Sequence, residues 1–195
     1  MGIKIITDVA DELIPLASLR TRCRVTAYGT PTPAHPDDAL LMELQAAARE
    51  WVEGYTARSF CPKTLELSLD AFPEGAILLP RGPVTSIVTL KYFNEAGTEI
   101  TANSNTYALD DYSHEHWLVP AVGTDWPGTR SQANAVKVRY VAGFASNLVA
   151  ADVKTAVAMV TAHLYDNRSE TSAQKLETVP LAAKHLLAKY RVLGF

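Results

Sequence analysis

The chain has 195 residues, 48% of them apolar, with 18 basic and 21 acidic side chains and a net charge of −3. That length and apolar content support one ordinary core, or a core with a subdomain, and exclude global disorder. The acidic balance disfavours a protein that grips nucleic acid across its whole surface, which needs a basic face.

Residues 1–13, MGIKIITDVADEL, hold one Lys, a short apolar run and then acids. They read as neither a secretory signal nor a membrane span, and Ile6 stands where N-myristoylation wants Ser or Thr. Leu16, Leu19 and Cys23 recur at helical spacing behind Pro15, which suits a first turn. They predict a short helix with Arg20, Arg22 and Arg24 near its C-terminal end, where cations are favoured. The prolines of YGTPTPAHP (28–36) make that stretch a loop.

Asp37–Phe60 reads DDALLMELQAAAREWVEGYTARSF. Leu40, Leu44, Ala47, Ala48, Trp51, Val52 and Tyr55 fall at steps of three and four, which predicts a long helix over about 37–57. Trp51 and Tyr55 are expected as core anchors. Asp37 and Asp38 are expected to accept the free N–H groups of the first turn.

After Pro62 the period becomes two. Leu65, Leu67 and Leu69 alternate with Glu66, Ser68 and Asp70, as in a half-buried strand. Ile77–Leu79 is a short apolar run, and Val84–Phe93 is rich in β-branched and aromatic residues. Asn94-Glu95-Ala96-Gly97 is a hairpin turn. Short strands are expected at Tyr107–Asp110, Trp117–Pro120 and Val136–Val141. Helical spacing returns at about 151–168, in a segment apolar on most sides, and again at about 180–192 behind Pro180. The order of helices, strands and helices predicts an α+β fold: a helical core from 1–62 and 142–195, with a mainly antiparallel β unit inserted at 63–141.

No catalytic motif stands out. His114-Glu115-His116 resembles a fragment of a metal site, but lacks the further ligands such sites need. It is read as an exposed polar loop, so no metal and no cofactor are expected. Cys23 and Cys61 are expected as reduced thiols. Cys61 has no partner brought to it by sequence, from His35 or His163. His163 is read as a core or interface histidine. Asp70, Asp110, Asp111 and Asp125 are candidates for paired acid–base work only if the fold joins them. From Tyr92 to Thr129 there are six acids (Glu95, Glu99, Asp110, Asp111, Glu115, Asp125) and no Lys or Arg, whereas the C-terminal segment carries Lys184, Lys189 and Arg191. An acidic stretch of this kind reads first as an ordinary solvated surface; the sharper reading is a surface that repels DNA or meets a basic partner.

Four segments, LASLRTRCRV (16–25), Asp37–Phe60, VTAHLYDNRSE (160–170) and VPLAAKHLLAKYRV (179–192), come in a set order around DAFP (70–73) and LPRGPVTSI (79–87). Together they resemble the head–tail connector (head-completion adaptor) proteins of long-tailed bacteriophages and phage-like gene transfer agents. The resemblance implies a structural virion protein of the neck, not an enzyme, assembled in the bacterial host's cytoplasm. It implies a ring of roughly a dozen copies with head-to-tail interfaces. Its implied partners are the portal, the next connector (stopper) or tail protein, and DNA passing through the lumen without being read; no membrane is involved. Lys189, Tyr190, Arg191 and Phe195 are the implied portal contacts. Arg49, Glu50, Glu53 and Arg58 on the long helix are the candidate subunit contacts. Two other classes stand beside this reading: a small hydrolase with carboxylate or His chemistry in the β unit, and a soluble DNA-binding module.

Overall fold

The computed structural model describes residues 2–9, 11–25, 35–167 and 181–192. The fold is α+β, and the chain divides into two compact units: residues 1–10 with 61–145, and residues 11–60 with 146–195.

The first unit is built from strands β1 (Gly2–Thr7), β2 (Lys63–Leu69), β3 (Ile77–Leu79), β4 (Val84–Phe93), β5 (Glu99–Thr101), β6 (Tyr107–Asp110), β7 (His116–Pro120) and β8 (Val136–Ala142). They form a five-stranded sheet in the order β1-β2-β8-β4-β5 and a three-stranded sheet in the order β3-β7-β6, with every pair antiparallel. Register follows the period-two pattern. Leu65 lies opposite Tyr140, Leu67 opposite Val138 and Leu69 opposite Val136, so one face carries the apolar set. Leu65, Leu67, Leu90, Leu118, Val136, Val138 and Tyr140 form one buried cluster drawn from both sheets. Each large aliphatic side chain buried there contributes about 1.5–3 kcal/mol. Tyr140 donates its hydroxyl to the Pro80 carbonyl at 2.8 Å, and burial pushes that hydroxyl above the usual tyrosine range. On the opposite face Glu66 pairs with Arg139 at 2.6 Å.

Two strands lie outside the sequence expectation. β1 is an exposed edge strand whose pattern shows no alternation, with Ile3, Ile5 and Ile6 all partly in solvent. β5 has only three residues; it pairs with β4 across the expected turn, in which Gly97 takes φ 82°.

The second unit holds α1 (Leu16–Arg22), α2 (Asp38–Thr56), α3 (Ala151–Asp166) and α4 (Leu181–Leu187), with a 3₁₀ turn at Ala188–Tyr190. α2 packs on α1 and α3, and α4 packs on α3. α3 buries Val153, Ala156, Val157, Ala158, Val160 and Thr161. The C-terminal helix is shorter than expected: α-helix stops at Leu187 and the last turn tightens.

α2 corrects the sequence reading in two ways. Its buried row is Leu41, Gln45, Ala48, Arg49, Val52, Glu53 and Thr56, rotated from the purely apolar stripe. Trp51 and Tyr55, expected as core anchors, are half-buried and stack on each other with centroids 5.4 Å apart. The acids at its start do not cap it. Asp38 accepts both Arg20 Nε–H (2.7 Å) and Arg20 Nη2–H from α1, and Asp37 accepts the Tyr165 hydroxyl of α3 at 2.5 Å. Charge-assisted tethering to two neighbouring helices outcompetes local capping here.

Candidate functional site

The C-terminal end of α2 and the segment after α4 form one corner. α2 ends with Ala57 in the left-handed conformation (φ 55°), its N–H bonded to the Glu53 carbonyl. The Thr56 carbonyl, an orphan acceptor of the last turn, takes the Val192 N–H at 3.0 Å. Arg58 donates Nε–H to the Tyr190 carbonyl at 2.8 Å, and burial lowers the Arg58 pKa. The Tyr190 ring meets Phe60 edge-on, with centroids 6.2 Å apart. The Arg191 guanidinium lies 5.4 Å over the Tyr55 ring, extending the Tyr55–Trp51 stack. Lys189 pairs with Asp152 in the first turn of α3 at 2.6 Å, and Asp152 raises its pKa. Three of the residues singled out as contacts, Lys189, Tyr190 and Arg191, are thus held by their own chain in fixed directions. Phe195 lies outside the described residues.

The four subunit-contact candidates, three on α2 and Arg58 just past its end, separate. Glu50 is a surface residue with a side chain 66% exposed, and Arg58 belongs to the corner above. Arg49 and Glu53 are 3% and 2% exposed, so they have almost no surface to offer another copy. Arg49 donates to Glu12 at 3.1 Å and to Glu53 at 3.3 Å, and Glu53 accepts the Phe60 N–H at 2.7 Å. This buried network joins residues before, within and after α2. Opposite charges enclosed together satisfy one another, which is why two charged residues share the buried row. Nearby on that row, Gln45 is fully buried and neither of its amide atoms has a hydrogen-bond partner among the described residues.

The residues weighed for chemistry serve turns and strands. His116 is not in an exposed loop: it is 7% exposed on β7, and its Nδ1 accepts the Val84 N–H at 3.2 Å. Its ring packs so closely on Gly82 that a Cβ there would lie 3.1 Å away. His114 is exposed, and among the described residues no three His, Cys, Asp or Glu side chains gather as metal ligands. Asp70 accepts the Asn134 N–H at 2.8 Å and Asp110 accepts the Tyr112 N–H at 3.2 Å, each holding a different turn. Asp125 lines a groove of about 360 Å³ beside Phe72, Tyr92 and Trp126. His35 accepts the Asp37 N–H through Nδ1, and His163 faces Asn167. Cys61 is buried and Cys23 half-buried, and desolvation pushes the Cys23 thiol up. No helix among the described residues is long and apolar enough to cross a membrane.

No protein-family profile and no curated protein matches the chain. Solved structures do. A chain in the neck of an empty gene transfer agent (GTA) particle, computed with C6 symmetry, matches with a TM-score of 0.81 and 24% identity. A chain of the native GTA virion matches with a TM-score of 0.78 and 23% identity, and one in the native GTA neck, computed with C12 symmetry, with 0.75 and 22%. Each match covers 100% of this chain and 97% of the other. At these identities the likeness is one of fold, and it extends over both units: this chain has the fold of a GTA neck component.

Proposed function

We propose that the chain is a structural subunit of a particle neck: a head–tail connector that forms a ring beneath the portal, joins the DNA-filled head to the tail and lets DNA through its lumen. The observation that supports this most is the end-to-end match of fold with chains in GTA necks, at TM-scores of 0.75–0.81. The C6 and C12 symmetry of those necks supports a ring of about twelve copies closed by head-to-tail contacts. A net charge of −3 suits a wall that DNA slides past without sticking. In this reading the protein does no catalysis and needs no cofactor. It assembles in the host bacterium and works in the virion, touching the portal on one side and the next connector or a tail protein on the other.

Lys189, Tyr190, Arg191 and Phe195 are the proposed portal contacts, since Tyr and Arg are favoured anchors at interfaces. The test is a chain ending at Leu187. This retains α4, whose Ala183 and Leu187 are fully buried. The truncated chain is expected to keep its circular dichroism spectrum and to lose attachment to portal-bearing heads. Truncated chains that still join DNA-filled heads would show that docking lies elsewhere.

A further inference from the structure

Two exposed features, each defined within its own unit, complement each other. The first is the tip of the β6–β7 hairpin. Tyr112 is 100% exposed there, and Asp111, His114 and Glu115 beside it are exposed too. The Asp110 carboxylate accepts the Tyr112 N–H and fixes the turn. A tyrosine wholly in water, surrounded by carboxylates, gives nothing to its own fold. It does have the makeup of an interface anchor: large apolar area, few rotatable bonds and a polar tip.

The second is a groove of about 500 Å³ between α1 and α3. Leu13, Ile14 and Ala158 form its apolar floor, and Arg22 and Lys154 stand on its rim. No ion pair among the described residues joins either cation to a carboxylate, in contrast to Arg20, two positions before Arg22, which is held by Asp38. The groove therefore offers an apolar floor and two uncommitted positive charges, and the hairpin tip offers an aromatic ring and uncommitted negative charges.

We propose that the β6–β7 tip of one copy seats in the α1/α3 groove of the next, with Tyr112 over the apolar floor and Asp111 and Glu115 against Arg22 and Lys154. This rests on the ring reading given above. Two different patches facing each other make a heterologous contact, the kind that generates a ring when repeated around an axis. The occupant is a second copy because the complementary charge and the exposed anchor are on this same chain. The apolar floor distinguishes the groove from a phosphate-binding surface, where cations alone suffice.

The test uses the full chain and two charge-reversed variants: Arg22→Glu with Lys154→Glu, and Asp111→Lys with Glu115→Lys. Circular dichroism should match the unsubstituted chain for both. By native mass measurement, the unsubstituted chain forms rings and each variant alone assembles about tenfold or more less well, because like charges now face each other. Mixed one to one, the two variants should form rings again. In an alternating ring every contact has opposite charges, and both six and twelve copies permit alternation. If the variants assemble alone as the unsubstituted chain does, or if the mixture fails to recover rings, the seating is wrong while the ring reading stands. If the unsubstituted chain forms no ring even with portal present, the ring reading fails and the seating falls with it.

Discussion

Arg58 and Tyr190 lie 132 positions apart, yet the Arg58 Nε–H donates to the Tyr190 carbonyl at 2.8 Å. The bond ties the end of α2 to the segment after α4. With Val192 N–H on the Thr56 carbonyl, it makes the C-terminal segment part of the helical unit and gives its basic and aromatic side chains a fixed origin.

Replacing Arg58 with Ala removes a charge-assisted donor and leaves the Tyr190 carbonyl unmatched. A loss of about 1–2 kcal/mol is expected, read as a lower urea midpoint. The more specific sign is local: the Val192 amide should exchange with solvent faster in Arg58→Ala, while amides in α3 change little. Equal acceleration across α3 would mean that the bond supports the whole unit rather than the segment.

Glu53 and Glu50 are three positions apart on α2 but differ in kind. Glu53→Ala takes away one of Arg49's carboxylate partners, Glu12 remaining, and leaves the buried Phe60 N–H without its acceptor, and a loss of about 1–3 kcal/mol is expected. Glu50→Ala changes a solvated side chain and should stay within about 0.5 kcal/mol. Equilibrium denaturation of the two variants side by side checks the contrast. If Glu50→Ala instead weakens ring assembly without touching the fold, Glu50 is the member of the original four that faces another copy.

Gln45 is buried with both amide atoms unpartnered among the described residues. Gln45→Met keeps the length of the side chain and removes the unsatisfied amide. It is expected to raise stability by about 1–2 kcal/mol, seen as a higher melting temperature. A lower one would mean that the amide is used in a state other than this one.

Arg20 holds the Asp38 carboxyl down to about 2, against 3.8 for the free group. A folded-state pKa below the unfolded one gives stability that is present above about pH 4 and is lost as pH falls through the folded value. Arg20→Ala should therefore be less stable than the unsubstituted chain at neutral pH, with the gap closing between about pH 4 and pH 2. Urea midpoints measured across that range test it. A gap that persists unchanged at pH 2 would place the effect in packing, not in the ion pair.

Most of the fold was legible because the β unit obeys a simple rule. Leu65, Leu67, Val136, Val138 and Tyr140 alternate with polar residues and lie in register on one face. Where the rule was absent the reading missed: β1 has isoleucines on both faces and β5 is three residues long. α2 was found, but its face was misjudged, because periodicity counts apolar residues and the buried row includes Gln45, Arg49 and Glu53. The burial of Arg49 and Glu53 depends on Glu12 and Phe60, contacts that spacing alone cannot supply. His116 was misread for the same reason, since its acceptor role depends on Val84, 32 positions away. Of the residues proposed to face partners, Lys189, Tyr190 and Arg191 form one corner with Arg58, a grouping that no local pattern announces.

The proposed function turns on whether this chain builds a ring on a portal. The direct measurement is the native mass of the purified chain, alone and with portal added. The chain weighs 21.2 kDa, and a twelve-fold ring like the C12 neck would add about 254 kDa of it to the portal. That addition, with the complex lost when residues 188–195 are removed, is the predicted result. A chain that remains at 21.2 kDa with portal present would contradict the account.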